Sequence, residues 1–328
     1  MQTRRLGKTG FDVSVMGMGC WQLGGDWGDL DEAQAMATLH MAADAGVTFF
    51  DTADVYGDGR SEHLVGRLLA ERPGEGLIVA TKCGRRVVQD VANYTPSALR
   101  DWTKRSRDNL GLDTLPLTQL HCPPDEVFEN DVVFETLDAL VSEGILHAYG
   151  VSVETVAQGL RAIMRPGVAA VQVIFNAFRL KPLQQLFPAC ENADVGVIAR
   201  VPLASGLLTG KYDLGTRFPE NDHRNYNRHG EAFDVGETFS GVPYEAGLRA
   251  ASRLQHTAVP EGWTLADVAL RWCADAPGVS TVIPGARNPA QAKANAAVGS
   301  RPPLPQYAAE HIRAVYDEEV AKYVQDRW

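Results

Sequence analysis

Short apolar runs alternate along most of the chain with longer segments whose apolar side chains recur every third or fourth position. The runs at 15–19, 47–50, 77–81, 115–120, 147–151, 169–174, 195–199 and 279–283 predict eight strands. The segments between them predict helices at 31–44, from 61, from 95, around 128–141, from 154, at 182–192, at 264–274 and from 288. A strand followed by a helix, over and over, implies parallel strands joined by right-handed crossovers. Eight such units imply an α/β fold closed into a (β/α)8 TIM barrel, with the chemistry at the carboxyl ends of the strands.

The departures from this period are informative. Residues 3–14 hold a Gly7-Lys8-Thr9-Gly10 turn between two alternating runs, which predicts an N-terminal β-hairpin plugging the bottom of the barrel. Residues 306–328 predict a C-terminal helix laid over it. The helix after the second strand opens at Ser61-Glu62, with Ser61 as the capping hydroxyl and an acid in the first turn. Thr95-Pro96 opens the next, a cap followed by proline at the first helical position. Phe128, Val132, Leu137, Leu140 and Val141 mark the buried stripe of the fourth. Periodicity fails over the long loop 203–244 after strand 7, and a loop of that length is expected to be a functional lid or disordered. No linker or low-complexity segment divides the chain, so residues 1–328 read as a single barrel domain. Gly17-x-Gly19 suggests a dinucleotide fingerprint, but Gln22 stands where the third glycine belongs.

Composition narrows the function. A chain of 328 residues, 45% hydrophobic, can bury a full barrel core. Its net charge of −10 argues against nucleic acid or an anionic membrane as a general partner, since both need a basic face. No apolar run approaches the length of a membrane span, and the first residues lack a signal pattern. Cys20, Cys83, Cys122, Cys190 and Cys273 are odd in number and include no CxxC pair, so they form neither a disulfide framework nor a zinc ribbon. The expected setting is cytoplasmic, as a monomer or homo-oligomer.

Four polar residues stand at or just beyond predicted strand ends, Asp51, Tyr56, Lys82 and His121. In a barrel those ends converge on one mouth. A phenol titrates near about 10 and is by itself a poor proton donor at neutrality; a neighbouring ammonium stabilises its anion and lowers that value. A carboxylate keeps the ammonium charged and oriented, and a histidine hydrogen-bonds the substrate oxygen. Each has a plainer reading: Asp51 as a loop cap, Tyr56 as a half-buried aromatic, Lys82 as a solvated strand end, His121 as a satisfied core histidine. Together, at successive strand ends, they can give a proton to an oxygen while its carbon accepts a hydride. Asp222, His223 and His229 lie close in sequence, but no regular scaffold fixes them and no metal site is expected.

The motifs DTADVYG, ATKCG, LTQLHCPP, AYGVS, VQVIFN, PLASGLLTGK and VIPGARNPAQAKAN resemble, in order, those of the aldo-keto reductase family. That resemblance implies a barrel that binds NADPH or NADP, with NADH possible, across its mouth and reversibly reduces aldehydes or ketones. It implies the tetrad Asp51, Tyr56, Lys82 and His121, and cofactor contacts at Gly19, Trp21, Asp51, Ser152, Gln172 and Arg200. Arg200 stands where many members place an aromatic ring. The resemblance also assigns the pyrophosphate loop to Pro202, Leu203, Ser205, Gly206, Leu208, Gly210 and Lys211, and the adenosine end to Gly285, Arg287, Gln291 and Asn295. Arg287 near a helix N-terminus suits a 2′-phosphate, with an exposed surface charge as its plainer reading and Lys293 as the competing candidate. Trp21, Trp27, Tyr56, His121 and Arg224 are the expected substrate residues, and two tryptophans with Arg224 suit a polar small-molecule carbonyl such as a sugar aldehyde. The potassium-channel β subunits share the fold, so the alternative reading is a nicotinamide-nucleotide-binding redox sensor or regulatory subunit with little turnover. They carry asparagine where this chain has His121, which favours catalysis.

Overall fold

In the computed structural model, which describes residues 1–25, 27 and 30–328, each predicted apolar run becomes a strand. A two-stranded antiparallel hairpin comes first, β1 (Thr3–Arg5) and β2 (Asp12–Ser14). The barrel then runs β3 (Met18–Gly19), α1 (Glu32–Asp44), β4 (Phe49–Asp51), α2 (Arg60–Glu71), β5 (Ile78–Cys83), α3 (Pro96–Leu110), β6 (Leu115–His121) and α4 (Asp131–Ser142). Its second half is β7 (Leu146–Ser152), α5 (Val156–Ile163), β8 (Val168–Ile174), α6 (Leu186–Asn192) and β9 (Gly196–Arg200). After the long loop, with its short helix α7 (His223–Tyr226), come α8 (Tyr244–Thr257), α9 (Leu265–Asp275), β10 (Val279–Val282) and α10 (Pro289–Val298). The chain finishes in α11 (Gln306–Val315), a π-helical turn Tyr316–Val320 and α12 (Ala321–Val324).

β3 to β10 pair in sequence order, all parallel. Parallel bridges Met16↔Val282 and Gly19↔Gly285 bring the first strand to the last and nearly close the cylinder. Here lies the physical meaning of Gly17-x-Gly19. A Cβ on Gly19 would meet the Ile283 carbonyl oxygen at 2.8 Å, so this glycine permits strand contact at the seam rather than a dinucleotide turn.

Two apolar layers hold the barrel. The larger lies between strands and helices. The smaller fills the barrel's lower interior, where Leu6 and Val13 of the hairpin pack on Phe49, Leu117, Ile198 and Ile283. The alanines Ala80, Ala148, Ala169 and Ala170 leave room for that plug, as the hairpin pattern leads one to expect. Burying Leu6 and Val13 completely contributes about 1.5–3 kcal/mol each.

Three local expectations need correction. Ser61 does not cap α2: the N-cap is Gly59, in the left-handed region at φ 98°, and Ser61 instead donates to the Cys20 carbonyl (2.8 Å) and accepts from Thr52 Oγ1 (2.8 Å). Its hydroxyl therefore ties the loop carrying Tyr56 to the first strand. The stripe on α4 is shifted in phase, because Asn130 caps the helix and starts it at Asp131. Val133, Phe134, Leu137 and Leu140 face inward, Val132 is 48% exposed, and Phe128 belongs to the preceding 3-10 turn. Finally, α8 follows the long loop where no helix was expected. Its buried face is Ala246, Gly247, Ala250, Ala251 and Leu254, mostly residues too small to stand out as an apolar stripe.

Candidate active site

The four strand-end residues converge. Lys82, 1% exposed, spends its ammonium protons on Asp51 Oδ1 (2.5 Å), the Thr52 carbonyl (2.8 Å) and Tyr56 Oη (3.2 Å). The other oxygen of Asp51 accepts from Gln172 Nε2 (2.7 Å) and Gln119 Nε2 (3.1 Å). His121 meets Tyr56 edge to face, with ring centroids 5.8 Å apart. Lys82 donates to the phenol oxygen, so the phenol's own proton is free to point elsewhere. Tyr56, His121 and Asp51 line a cleft of about 520 Å³, and Lys82 lies behind them.

The electrostatics differ from the simplest expectation. Burial works against charge on Lys82, but Asp51 and then Tyr56 more than restore it, and the ammonium is held above its ordinary range. Tyr56 moves the other way from the prediction that its neighbour would lower it. Burial pushes the phenol up to about 12, Lys82 pulls against this, and Asp51 and Glu237 push with it. The main physical reason is burial of the phenol, which outweighs the nearby ammonium; that ammonium also sits closer to Asp51 than to Tyr56. At neutral pH the phenol is protonated. Burial, then Arg85, Lys82 and Arg200, hold His121 well below its usual range, so the imidazole is neutral.

Behind this layer lies Asp54, fully buried, with neither carboxylate oxygen hydrogen-bonded among the described residues. Burial and the charge of Glu62 raise it to about 7, against the pull of Arg86 and Arg105. A carboxyl raised on folding stabilises the fold fully below its unfolded value of about 4 and loses that stability as pH rises through the folded value. Denaturant unfolding at pH 5 and pH 8 is expected to show the Asp54→Asn variant gaining about 2–4 kcal/mol on the parent between the two pH values. A pH-independent difference would mean that Asp54 keeps its charge when folded.

The long loop closes one wall. Trp21 stacks near Tyr56 (6.0 Å), with Trp27 edge-on to it (5.6 Å) and His223 against both rings, at 4.7 and 4.4 Å. Arg224 lies between Trp27 (4.6 Å) and Phe218 (4.4 Å), paired with Asp222 through Nε (2.8 Å) and Nη2 (2.5 Å) and donating to Tyr212 Oη (2.5 Å). It reaches the cleft as part of a stacked wall, its charge matched by Asp222. His229 stands apart from this group on the surface.

The cleft runs on from Gln172 and Arg200 past Pro202, Leu203, Ser205, Gly206 and Lys211 to Gly285, Arg287, Gln291 and Asn295, and Gly19 and Trp21 also line it, Gly19 bridged to Gly285. Ser152, Leu208 and Gly210 are not part of its lining; Ser152 is buried beside Cys122 (Sγ···Oγ 3.7 Å). The Gln22 amide lies over Gly285, and its buried Oε1 has no hydrogen-bond partner among the described residues. Asn288 caps α10, while Asn295 and Gln291 fix the junction by bonding the Gly285 carbonyl and the Arg287 amide. A long groove with polar groups at one end, left-handed backbone at Ala204 and Ser205, and Arg287 before a helix N-terminus fits an extended, anionic nucleotide.

Sequence reasoning missed three groups here. Gln119 is a polar residue inside an apolar strand, a signal that inward alternation carries. Arg85 and Glu237 carry none: one follows β5 and the other sits in the aperiodic loop. They meet in a buried network, Glu237 Oε1 to Arg85 Nη1 at 2.7 Å and Oε2 to Arg200 Nη1 at 3.3 Å. Among the described residues, Cys122, Glu154 and Glu237 place three possible metal-ligating atoms within 4.8 Å. The two guanidiniums already supply the cations for those acids.

A parallel barrel with a phenol, an ammonium, a carboxylate and an imidazole gathered at its carboxyl rim and a long groove beside them has the makeup of a barrel oxidoreductase. Residues 15–317 match the model of the Aldo/keto reductase family. A probable voltage-gated potassium channel subunit beta from Arabidopsis thaliana is 30% identical over 311 residues, 90% of either chain. Among solved structures, a glycerol dehydrogenase from Gluconobacter oxydans is 30% identical with TM-score 0.78, covering 98% of this chain and 96% of that one. An aldo-keto reductase from Bacillus halodurans in its holo form is 26% identical with TM-score 0.76, covering 96% of both. The chain belongs to the aldo-keto reductase family. It is an NAD(P)H-dependent oxidoreductase, and the family supports carbonyl oxidoreduction. All five cysteines are free and buried, and no helix among the described residues is long and apolar enough to cross a membrane.

Proposed function

We propose that this protein reversibly reduces a polar aldehyde or ketone to the alcohol with NADPH, with Tyr56 as proton donor. The observation that carries the reading is Lys82 Nζ, hydrogen-bonded at once to Asp51 and Tyr56 beside a neutral His121. Gln172 and Arg200 would hold the nicotinamide end, residues 202–211 the pyrophosphate, and Arg287 with Gln291 and Asn295 the adenosine end. When bound, the reduced nicotinamide supplies the hydride to the carbonyl carbon. The chain's own part is the proton. The carbonyl oxygen sits between Tyr56 Oη and the N–H of the neutral imidazole. As negative charge develops on that oxygen, the phenol gives up its proton, and the Lys82 ammonium stabilises the phenolate left behind. In the alcohol-oxidising direction the same phenolate takes the proton back.

Trp21 and Trp27 line the cleft beside Tyr56 with flat faces and polar edges, backed by the buried His223, a lining suited to the C–H faces and hydroxyls of a polyhydroxylated substrate. The relative named a glycerol dehydrogenase supports the same class. The test is a fluorescence titration with NADPH and NADH, then turnover on aldehydes, ketones, sugars and polyols. Arg287→Leu is expected to weaken NADPH binding about 10–100-fold and NADH hardly at all; equal losses for both would remove Arg287 from 2′-phosphate recognition. The relative named as a channel β subunit supports a second reading, a redox sensor with little turnover. Tight nucleotide binding with no turnover across the panel would favour it.

A further inference from the structure

Glu237 is an unusual presence in the mouth. It belongs to the 3-10 turn Val235–Glu237 of the long loop, yet its carboxylate is buried between Arg85, just beyond β5, and Arg200, the last residue of β9. Arg200 is held further by the Val153 carbonyl (3.2 Å) and Cys122 Sγ (3.6 Å), while its Nε is buried with no hydrogen-bond partner among the described residues. The side chains of Glu237 and Arg200 are 9% and 8% exposed, and both residues line the cleft that Tyr56, His121 and Gln172 also line. Burial pushes the Glu237 carboxyl up, but Arg200 and Arg85 outweigh it and leave it at about 2, so it is charged at every working pH. Three desolvated charges are a poor way to stabilise a loop, since well-packed apolar residues do as well or better. Their field falls on the cleft.

We propose that the Arg200–Glu237 pair sets the relative affinity of this site for the oxidised and reduced forms of the nicotinamide. The inference rests on the reading that a nicotinamide nucleotide occupies the cleft. Hydride transfer is a contact event at the carbon of the carbonyl whose oxygen Tyr56 and His121 bind. Arg200 touches Cys122, the neighbour of His121, so the reacting ring lies within the field of the pair. The two forms of that ring differ by one positive charge. Arg200 disfavours the cationic form and Glu237 offsets Arg200, so their balance fixes how strongly the oxidised product is held.

The experiment measures the dissociation constants of NADPH and NADP⁺ separately, by calorimetry, for the parent, Glu237→Gln and Arg200→Gln. Removing the carboxylate is expected to weaken NADP⁺ relative to NADPH about tenfold, and removing the guanidinium to shift the ratio the opposite way by a similar factor. A tenfold change in that ratio is a shift of about 30 mV in the potential of the bound two-electron couple. Both constants come from the same preparation, so a partly unfolded variant does not alter their ratio. Should Glu237→Gln fail to fold, Arg85→Gln replaces it and is expected to move the ratio in the same direction as Arg200→Gln. If the parent binds neither nucleotide, the nucleotide reading of the cleft falls first. If both bind and the ratios stay within about twofold of the parent, or the Glu237 and Arg200 variants move them the same way, the charge-pair inference is overturned and the nucleotide reading stands.

Discussion

Replacement of Tyr56 by phenylalanine is expected to lower kcat about 10³-fold or more while changing the NADPH dissociation constant by less than about threefold. The phenol lines the cleft, and because Lys82 donates to its oxygen, its own proton is free to be given to a substrate there. Phenylalanine keeps the ring against Trp21 and His121, so the groove retains its shape. The parent's pH profile offers a second check. The phenol is raised to about 12 and the imidazole held well below its usual range, so carbonyl reduction is expected to show no titration between pH 6 and pH 9 from either residue. Alcohol oxidation, which needs the phenolate, is expected to rise with pH over the same interval. Turnover within tenfold of the parent in Tyr56→Phe would remove Tyr56 as the proton donor.

The second large effect concerns Lys82. Lys82→Met leaves the Asp51 carboxylate buried with two neutral amides, Gln119 and Gln172, in place of an ammonium. Breaking a buried pair from one side costs about 3–5 kcal/mol, because the remaining charge is left without a counter-charge. The same change removes the cation that stabilises the phenolate, so turnover is expected to fall about as far as in Tyr56→Phe. The two effects separate in the double variant Asp51→Asn/Lys82→Met. With both charges gone it is expected to recover most of the lost stability in denaturant unfolding and none of the lost turnover. Recovery of turnover in the double variant would show that the ion pair serves the fold alone.

Much of this was present in the chain before any fold was known. The alternation of apolar runs and helical stripes is a local property, fixed by which side chains must leave water. It determined the strand order, and with it the meeting of Asp51, Lys82 and His121 at one rim. A buried charge at the end of an apolar strand is costly, and that cost made the site legible. Where side chains are small, as along α8, or where the backbone has no period, as from 203 to 244, the one-dimensional signal vanishes. Glu237 and Arg85 lie 152 positions apart, and no local pattern links them. The direction of the Tyr56 shift was likewise a tertiary matter: sequence places an ammonium beside a phenol, but only packing decides how much of its field Asp51 takes and how much water is left. Local hydrophobic order determined the barrel and its rim, and three-dimensional desolvation decided the charges that act there.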